Sequence, residues 1–368
     1  MSEKLIIKNF GPIKSAEIEL KRFTVLIGEQ ATGKSTIAKL LAVCRYFSYV
    51  HNFTIDQGFL EGLKNWGLYD YIDMDGVSEV QYICDDYTLK VRSVNGALQQ
   101  LLLNKSERFQ KLEDDASIYE NSLPPSFFLN NVSQIMDNPF FLPVERGLQS
   151  IFSLGKSSIQ NISDSLFNQL AKLDQVGRTF NSETAIEPLH ITYKNDAGRG
   201  FIKKEKDDKF YSLNNAASGY QTAIPIILVC KYYHERRKKN KTFVVEEPEL
   251  SLFPSAQKDL MYYLVQEINK YQSKLLLTTH SPYTLTSLNN CMYSYKIGKV
   301  NHAKTKKIVP EANWLNSDEV SCYMLRADGT AEDILDRESS LIEADKIDEV
   351  SSVLNLEFDK LLDIEFAE

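Results

Sequence analysis

The chain has 368 residues, of which 43% are hydrophobic and 25% are charged, as is typical of a globular protein with a sizeable core. No segment approaches the roughly 18 uninterrupted apolar residues of a membrane-spanning helix, and the N-terminus lacks the apolar core of a secretory signal. These features predict a cytoplasmic protein with no membrane partner. The net charge of −8 argues against a basic surface over the whole molecule of the kind that binds nucleic acid.

Basic residues form one clear local run, which comprises Arg236, Arg237, Lys238, Lys239 and Lys241. Because the run closes an apolar helical segment, we interpret it as a cationic helix end that complements the helix dipole, with DNA contact as the less favoured alternative. The five cysteines are dispersed and contain no Cys-x-x-Cys pair, which argues against a disulfide framework and against a zinc site.

Residues 1–48 predict an antiparallel strand pair, a third strand and a helix. LIIKNF and SAEIEL are separated by Gly11 and Pro12, and FTVLIG then runs into a glycine-rich turn. Apolar side chains recur at helical spacing over residues 36–47, so we expect one buried helix face there.

Residues 49–185 are less regular, and we interpret them as a partly helical insertion. QYICDDYTLKVRSV predicts a strand pair, whereas LQQLLLNKSERFQKLEDD and residues 150–173 predict helices. The insertion lacks the sustained heptads of a long coiled coil.

Strands return in residues 186–300. LHITYKN, FIKKEK and FYSLNN precede an apolar helix, TAIPIILVCKYY, and the strands TFVVEE and KLLLTT then flank a second helix. Strands that alternate with helices predict a parallel α/β sheet, with residues 1–48 and 186–300 as the two lobes of its core. We expect residues 301–368 to form a small, acidic, partly helical extension.

The segment from Gly28 to Ser35 fits G-x-x-x-x-G-K-S, between an apolar strand and a helix, which is the context that a phosphate-binding loop requires. Glycines let the backbone curl so that successive N–H groups face phosphate oxygens, and the helix N-terminus adds partial positive charge. We expect Lys34 to reach the β and γ phosphates and Ser35 to bind Mg²⁺. The predicted nucleotide-binding residues are Gly28, Glu29, Gln30, Ala31, Thr32, Gly33, Lys34, Ser35 and Thr36.

Two later apolar strands end in polar residues. FVVEEP places Glu246 and Glu247 at a strand end, where open α/β sheets bind ligands. We expect Glu246 to hold Mg²⁺, directly or through water, and Glu247 to polarise the attacking water. LLLTTHSP ends its strand at His280, 33 residues after Glu247, a separation that leaves room for one helical crossover and favours a position near the γ-phosphate.

Ser218 and Gly219 begin the apolar helix and offer N–H groups and a hydroxyl to a phosphate. A Ser-Gly helix start is common and would be weak by itself. The four elements together occur in order, each in the strand or helix context that a nucleotide site needs.

At these residues the chain resembles the ABC-type, SMC-like ATPases of the overcoming-lysogenization-defect (OLD-like) group of the AAA family. The resemblance covers most of the chain, with specific motifs at 1–48 and 210–285. They are the opening LIIKNFGPIKSAEIEL with FTVLIGEQATGKST, the Walker B segment EEPELSLFP, the switch-histidine strand LLLTTHSPYTL, and a degenerate signature, SGYQ. PVER at 143–146 resembles an element of many small bacterial members. The chain departs from the family pattern at Gln30, Tyr220 and Phe253, and Gln149 is one candidate among several for the Q-loop glutamine.

The resemblance implies that ATP and Mg²⁺ are the cofactors and that two heads sandwich two ATP molecules in a homodimer or larger homo-oligomer. Ser218, Gly219 and Gln221 would contact the γ-phosphate on the other head. Glu247 would be the catalytic base and His280 the γ-phosphate sensor.

Members of the group often carry a C-terminal TOPRIM nuclease, but the segment after residue 300 contains no complete acidic pattern of a two-metal nuclease. We therefore expect an ATPase that acts as a switch or sensor for a separate effector protein, with bacterial anti-phage defence as the setting that the resemblance suggests. The alternatives are a DNA-repair or chromosome-maintenance ATPase, the energising subunit of a membrane transporter, and a scaffold that does not hydrolyse ATP.

Overall fold

The computed structural model describes residues 3–46, 55–111, 139–149, 163–236, 241–343 and 356–361. Residues 237–239 of the basic run lie outside the described residues, as do residues 150–162 of the helix predicted over 150–173. The described remainder of that prediction, residues 164–173, is helical. The strands are β1 (Glu3–Phe10), β2 (Ile13–Leu20), β3 (Phe23–Gly28), β4 (Val77–Ile83), β5 (Tyr87–Val94), β6 (Ala97–Lys105), β7 (Phe140–Leu142), β8 (Thr184–Ile186), β9 (Ile191–Asp196), β10 (Arg199–Lys204), β11 (Tyr211–Ser212), β12 (Thr242–Glu246), β13 (Lys274–Thr279), β14 (Val320–Leu325), β15 (Ala331–Asp333), β16 (Leu335–Asp336) and β17 (Leu341–Ile342).

The helices follow the apolar periodicity of the sequence. They are α1 (Lys34–Tyr46), α2 (Ile55–Asn65), α3 (Asp164–Arg178), α4 (Ser218–Glu235), α5 (Pro254–Tyr271), α6 (Pro282–Gly298) and the short α7 (His302–Thr305). Two starts show why the chain turns into a helix where it does. Pro254 and Pro282 each occupy the first turn, where a missing N–H costs nothing. The Ser281 hydroxyl accepts from the first backbone N–H groups of α6.

A six-stranded sheet in the order β15-β14-β3-β13-β12-β7 organises the protein. All neighbours in it are parallel except β15, which pairs antiparallel with β14. β3, β12 and β13 are buried along nearly their whole length, because helices or another sheet cover both faces. The predicted α/β fold with a mainly parallel sheet is therefore confirmed.

Two hydrophobic cores lie on the two faces of this sheet, since successive strand residues point to opposite faces. Val25 and Ile27 pack in the core that contains α3, α4, α5 and α6. Leu26 packs in the other core, with α1, α2 and the five-stranded antiparallel sheet β2-β1-β4-β5-β6. A separate four-stranded sheet, β11-β10-β9-β8, joins the first core through Ile191 and Ile202. The predicted antiparallel strand pair in residues 1–48 and the predicted strand pair in QYICDDYTLKVRSV are both present in the five-stranded sheet.

The helix predicted over residues 98–115 is wrong for 98–105, which form a strand, whereas residues 107–111 are helical. Asn95 and Gly96 have φ angles of 49° and 75° and close a tight turn between β5 and β6, and an Asn-Gly pair is a strong hairpin signal. A bulge places Gln99 as an extra residue in β6. The leucines that face the core are consequently spaced 98, 101 and 103, which breaks strict alternation and mimics helical spacing.

The central sheet draws strands from outside the two predicted lobes. β7 comes from the segment that was interpreted as an insertion, and β14 comes from the expected C-terminal extension. β14 is buried beside β3, because a parallel sheet needs an apolar neighbour on each side of a central strand.

All five cysteines lack a disulfide partner, and only Cys84 is not fully buried. Within the described ranges, none of the helices combines the length and apolar character that crossing a membrane requires.

Candidate functional site

The parallel strands of the central sheet all end at one edge, and the predicted site residues follow those ends. β3 leads into residues 28–35, β12 ends at Glu246, and β13 ends just before His280. β7 leads into a short 3₁₀ helix, Val144–Leu148. Helix α4 runs back from this edge, because its first residues contact the loop that follows β12. The fold thus brings all four predicted elements to one edge.

The loop 28–35 curls through left-handed backbone conformations. Gly28, Ala31 and Gly33 have φ angles of 144°, 63° and 100°. A Cβ at Gly28 would overlap the carbonyl oxygen of Leu325 at the end of β14, and one at Gly33 would lie 2.9 Å from Ile13. Glycine is therefore required at both positions by backbone conformation and by close packing. The exposed residues of the loop are 29–31 and Ser35.

Lys34 is 7% exposed and its ammonium group is held by the loop itself. Nζ donates to the carbonyl oxygens of Gly28 at 2.8 Å and Glu29 at 2.7 Å. Burial lowers the pKa of Lys34 from its ordinary value, while the nearby carboxylates, those of Glu247 foremost, act in the opposite direction. The ammonium can exchange these two carbonyls for phosphate oxygens without moving to another part of the molecule.

Glu246 is a buried carboxylate beside the exposed Ser35. It is 3% exposed and forms a side-chain hydrogen bond with Ser35. Its Oε1 has no hydrogen-bond partner among the residues that the structure describes. Burial raises the pKa of Glu246 above its ordinary value, partly opposed by the Ser35 hydrogen bond and the charge of Lys39.

An unpartnered buried carboxylate oxygen next to a hydroxyl fits a small, hard cation. Mg²⁺ prefers oxygen ligands and takes one or two from the protein, with water and phosphate completing its shell. The described residues contain no cluster of three or more His, Cys, Asp and Glu side chains that would form a metal cage of their own. Ser35 and Glu246 would therefore hold Mg²⁺ together with a bound nucleotide.

Glu247 leaves the strand end in a left-handed conformation, with φ at 44°. Its N–H donates to the Thr278 carbonyl oxygen at 2.9 Å. The turn points its side chain to the same edge as that of Glu246, which a straight strand would not do. Its Oε1 lies 3.4 Å from His280 Nε2, and its side chain is 28% exposed. The hydrogen bond with His280 holds the pKa of Glu247 below its ordinary value, with Lys34 and Arg146 contributing through their charges.

Glu249 is a site residue that sequence reasoning did not assign. Its Oε1 accepts from the Thr279 hydroxyl at 2.7 Å and from the His280 backbone N–H at 2.8 Å. Burial raises the pKa of this carboxyl, and these hydrogen bonds lower it. Glu249 thereby fixes the backbone from which His280 projects towards Glu247. The sequence contained a sign of this role, because EEPE has three acids and metal binding and water activation together require only two.

The start of α4 presents Ser218 to solvent and packs Gly219 inward. A Cβ at Gly219 would lie 2.7 Å from the carbonyl oxygen of Ser251, so only glycine fits there. Gln221 donates its amide to the carbonyls of Ala216 at 2.9 Å and Asn214 at 3.3 Å. The backbone and hydroxyl of Ser218 are thus open to a ligand, whereas the Gln221 amide is engaged within its own loop.

Arg146 and Gln149 follow β7. Arg146 is fully buried and donates to backbone carbonyls at the ends of β12 and the start of α4. The Gln149 amide donates to the Leu173 carbonyl of α3 at 3.0 Å. Arg146 therefore joins the site, while Gln149, named above as a Q-loop candidate, is turned towards helix α3.

Three comparisons relate the chain to known proteins. A family model described as an AAA ATPase domain matches residues 1–65 and 46–285, and a search of curated proteins found no match. Among solved structures, the chain is similar to an SMC head bound to the C-winged helix domain of ScpA, with 12% identity, 90% of this chain and 96% of that chain covered, and a TM-score of 0.48.

Two further similar structures are SMC head domains from Thermotoga maritima and Pyrococcus furiosus. One is the SMC head domain from Thermotoga maritima, with 14% identity, coverage of 78% and 91%, and a TM-score of 0.42. The other is the Smc head domain from Pyrococcus furiosus with an extended coiled coil, bound to the C-terminal domain of ScpA, with 10% identity, coverage of 96% and 99%, and a TM-score of 0.43.

Proposed function

The chain belongs to the AAA ATPase domain family, and we propose that it binds Mg²⁺-ATP at residues 28–36 and hydrolyses it with Glu247 as the general base. The observation that carries the proposal is the buried Glu246 carboxylate beside the exposed Ser35 hydroxyl and the curled loop. One oxygen of that carboxylate has no hydrogen-bond partner among the residues that the structure describes. Glycine-rich loops with this helix start bind phosphates through backbone N–H groups and the helix dipole.

In this mechanism Mg²⁺ supplies charge stabilisation to the phosphate oxygens when it is bound. The Lys34 ammonium leaves the carbonyls of Gly28 and Glu29 and neutralises the β and γ phosphates. The Glu247 carboxylate, whose pKa is lowered by its hydrogen bond with His280, accepts the proton of the attacking water. His280, which already lies 3.4 Å from Glu247, donates a hydrogen bond to the γ-phosphate.

The ATPase proposal is tested by Glu247→Gln, which keeps the size of the side chain and removes the base. We expect ATP binding to remain within about threefold of wild type and kcat to fall at least about a hundredfold. Unchanged turnover in this variant would exclude Glu247 as the base. Absence of turnover in the wild-type protein under any nucleotide or metal condition would leave a binding protein rather than an ATPase.

We further propose that two copies close around two ATP molecules, with Ser218 and Gly219 of one copy on the γ-phosphate of the other. The exposure of Ser218 at a helix start supports this arrangement. Because the Gln221 amide bonds within its own loop, its predicted contact in trans requires that side chain to rotate.

A mixing experiment tests contact in trans. Lys34→Ala removes ATP binding in one copy, and Ser218→Arg blocks the phosphate contact in the other. Each variant alone should be inactive, and an equimolar mixture should recover up to about a quarter of wild-type activity if the sites are shared between copies. A mixture that remains inactive, although both variants are folded, would exclude sharing of the site.

The biological role that we propose is that of an ATP-dependent switch for a separate effector, in the setting of anti-phage defence that the motif resemblance suggests. The Glu247→Gln protein, purified from its native host with Mg²⁺ and ATP, should carry a second protein in a dimeric or larger complex. Copurified DNA in place of a protein would favour the repair or chromosome-maintenance function instead. A particle of monomer mass would contradict the switch.

A further inference from the structure

Arg146 occupies the junction between three elements of the site. It is 0% exposed and is one of the largest fully buried side chains among the described residues. It lies in the 3₁₀ helix that follows β7. Every acceptor recorded for its guanidinium is a backbone carbonyl oxygen, so its hydrogen bonds fix the path of the chain and not the rotamer of another side chain.

The bonds reach both sides of the site. Nη1 donates to the carbonyl of Glu246 at 2.5 Å, and Nη2 donates to that of Glu247 at 2.6 Å. Nε donates to the carbonyl of Thr222, one turn into α4, at 2.8 Å. A bond from Nη1 to Pro143 at 3.0 Å ties the guanidinium to its own segment. One rigid, planar group therefore holds the backbone of both acids and the start of α4.

The start of α4 also contacts the segment after Glu247 directly, without Arg146. The Thr222 hydroxyl donates to the carbonyl of Leu250 at 2.8 Å, three residues beyond Glu247. Gly219, on the same turn of α4, packs against the Ser251 carbonyl so closely that a Cβ would lie 2.7 Å from it. The start of α4 is therefore joined to the loop 247–251 directly, and to the carbonyls of the two acids through Arg146.

The backbone conformation at Glu247 explains why the hydrogen bonds from Arg146 are needed. Glutamate at φ 44° is in a left-handed conformation that costs an L-residue of this kind about 1 kcal/mol or more, and it persists only where surrounding contacts determine it. A relaxed backbone would rotate the carboxylate away from His280. Burial lowers the pKa of Arg146 only to about 10, so its guanidinium is a cation at neutral pH.

We propose that Arg146 is a positioning residue that couples the start of helix α4 to the placement of the Glu247 carboxylate. This inference rests on the proposed ATPase function and adds a route by which a ligand on Ser218 and Gly219 alters the base. A ligand that contacts Ser218 and Gly219 would therefore change the turnover number and leave the affinity for ATP unchanged.

The test uses Arg146→Lys in the full chain. Lysine keeps the positive charge but has only three N–H donors, which cannot reach the four carbonyls that accept from the planar guanidinium of Arg146. We expect kcat to fall at least about tenfold while ATP affinity stays within about threefold, because the backbone that carries Glu247 is less well held. Gly147→Ala is the matched control on the same 3₁₀ helix, because its new Cβ would make only an ordinary 3.5 Å contact with Thr222.

A double-variant comparison separates positioning from general structural support. If Arg146 acts through Glu247, adding Arg146→Lys to Glu247→Gln should cause less than a twofold further loss of kcat. A wild-type kcat in folded Arg146→Lys would overturn the proposal. So would a further loss of tenfold in the double variant, or a loss of ATP affinity as large as the loss of kcat.

The outcomes also separate this inference from the ATPase proposal, because inactive wild-type protein or a fully active Glu247→Gln variant defeats the latter whatever Arg146 does. If Arg146→Lys does not fold, Arg146→Gln replaces it, because glutamine retains two donors in an uncharged amide. The same measurements then apply: kcat and ATP affinity relative to wild type, and kcat of the double variant relative to Glu247→Gln.

Discussion

The two adjacent acids, Glu246 and Glu247, should respond in opposite directions to the same chemical change. Glu246 is buried, has a raised pKa and has one oxygen without a partner among the described residues. Glu247 is paired with His280 and has a lowered pKa. Glu246→Gln and Glu247→Gln each remove one negative charge at constant side-chain volume. Comparison of the two isolates the effect of the local environment from that of net charge.

The size of the Glu246 effect follows from its burial. A buried polar group without a partner costs about 1–3 kcal/mol, and the glutamine amide, which is uncharged but also leaves one group unpaired, recovers the lower part of that range. For a chain of 368 residues, about 1 kcal/mol corresponds to a melting temperature change of roughly 1–2 °C. We expect metal-free Glu246→Gln to melt about 1–2 °C above wild type at pH 8.

The pKa shifts of the two acids predict how the stability difference between each variant and wild type changes with pH. Because the folded-state pKa of Glu246 is raised, its contribution to stability is present below the unfolded value of 4.5 and is lost as the pH rises through the folded value. The advantage of the variant should therefore grow between pH 5 and pH 8. Glu247, with a lowered pKa, contributes stability above its unfolded value of 4.5, so Glu247→Gln should melt at or below wild type at pH 8.

Thermal unfolding followed by circular dichroism or calorimetry, with and without Mg²⁺ and ATP, is the assay. Mg²⁺-ATP should raise the melting temperature of wild type and of Glu247→Gln, but much less that of Glu246→Gln. If both variants shift the metal-free melting temperature in the same direction, the assignment of their environments is incorrect. An equal response of all three proteins to Mg²⁺-ATP would refute the metal role of Glu246.

Further predictions concern the loop and the third acid. Gly28→Ala should reduce ATP affinity at least tenfold and destabilise the fold by at least about 2 kcal/mol in chemical denaturation, because its φ is 144° and its Cβ meets the end of β14. Gly67→Ala, at φ 65° with open space around its Cβ, is the control and should cost only about 1 kcal/mol without changing ATP affinity. Thr279→Val removes one of the hydrogen bonds to Glu249 and should lower stability by about 1–2 kcal/mol and reduce kcat while ATP binding persists. Wild-type kcat in folded Thr279→Val would show that Glu249 does not need this bond to place His280.

The motifs were readable from the sequence because each is formed by consecutive residues. The loop 28–35 contains its own glycines, lysine and serine, and the apolar strand before it specifies its place at a sheet edge. The strand that ends in Glu246 and Glu247 is equally self-contained. Short-range backbone geometry and hydrophobic periodicity therefore determined the fold class and predicted which residues form the nucleotide site.

Tertiary structure decided the contacts that join distant segments. Arg146 lies 100 residues before Glu246, and their hydrogen bond leaves no local pattern in the sequence. β14, at the far end of the chain, enters the central sheet only because β3 needs an apolar neighbour on that side. β6 was mistaken for a helix because its bulge breaks alternation, and only its pairing with β5 specifies a strand. Local chemistry can be read from adjacent residues, whereas the pairing of remote segments depends on which surfaces the folded chain has left to cover.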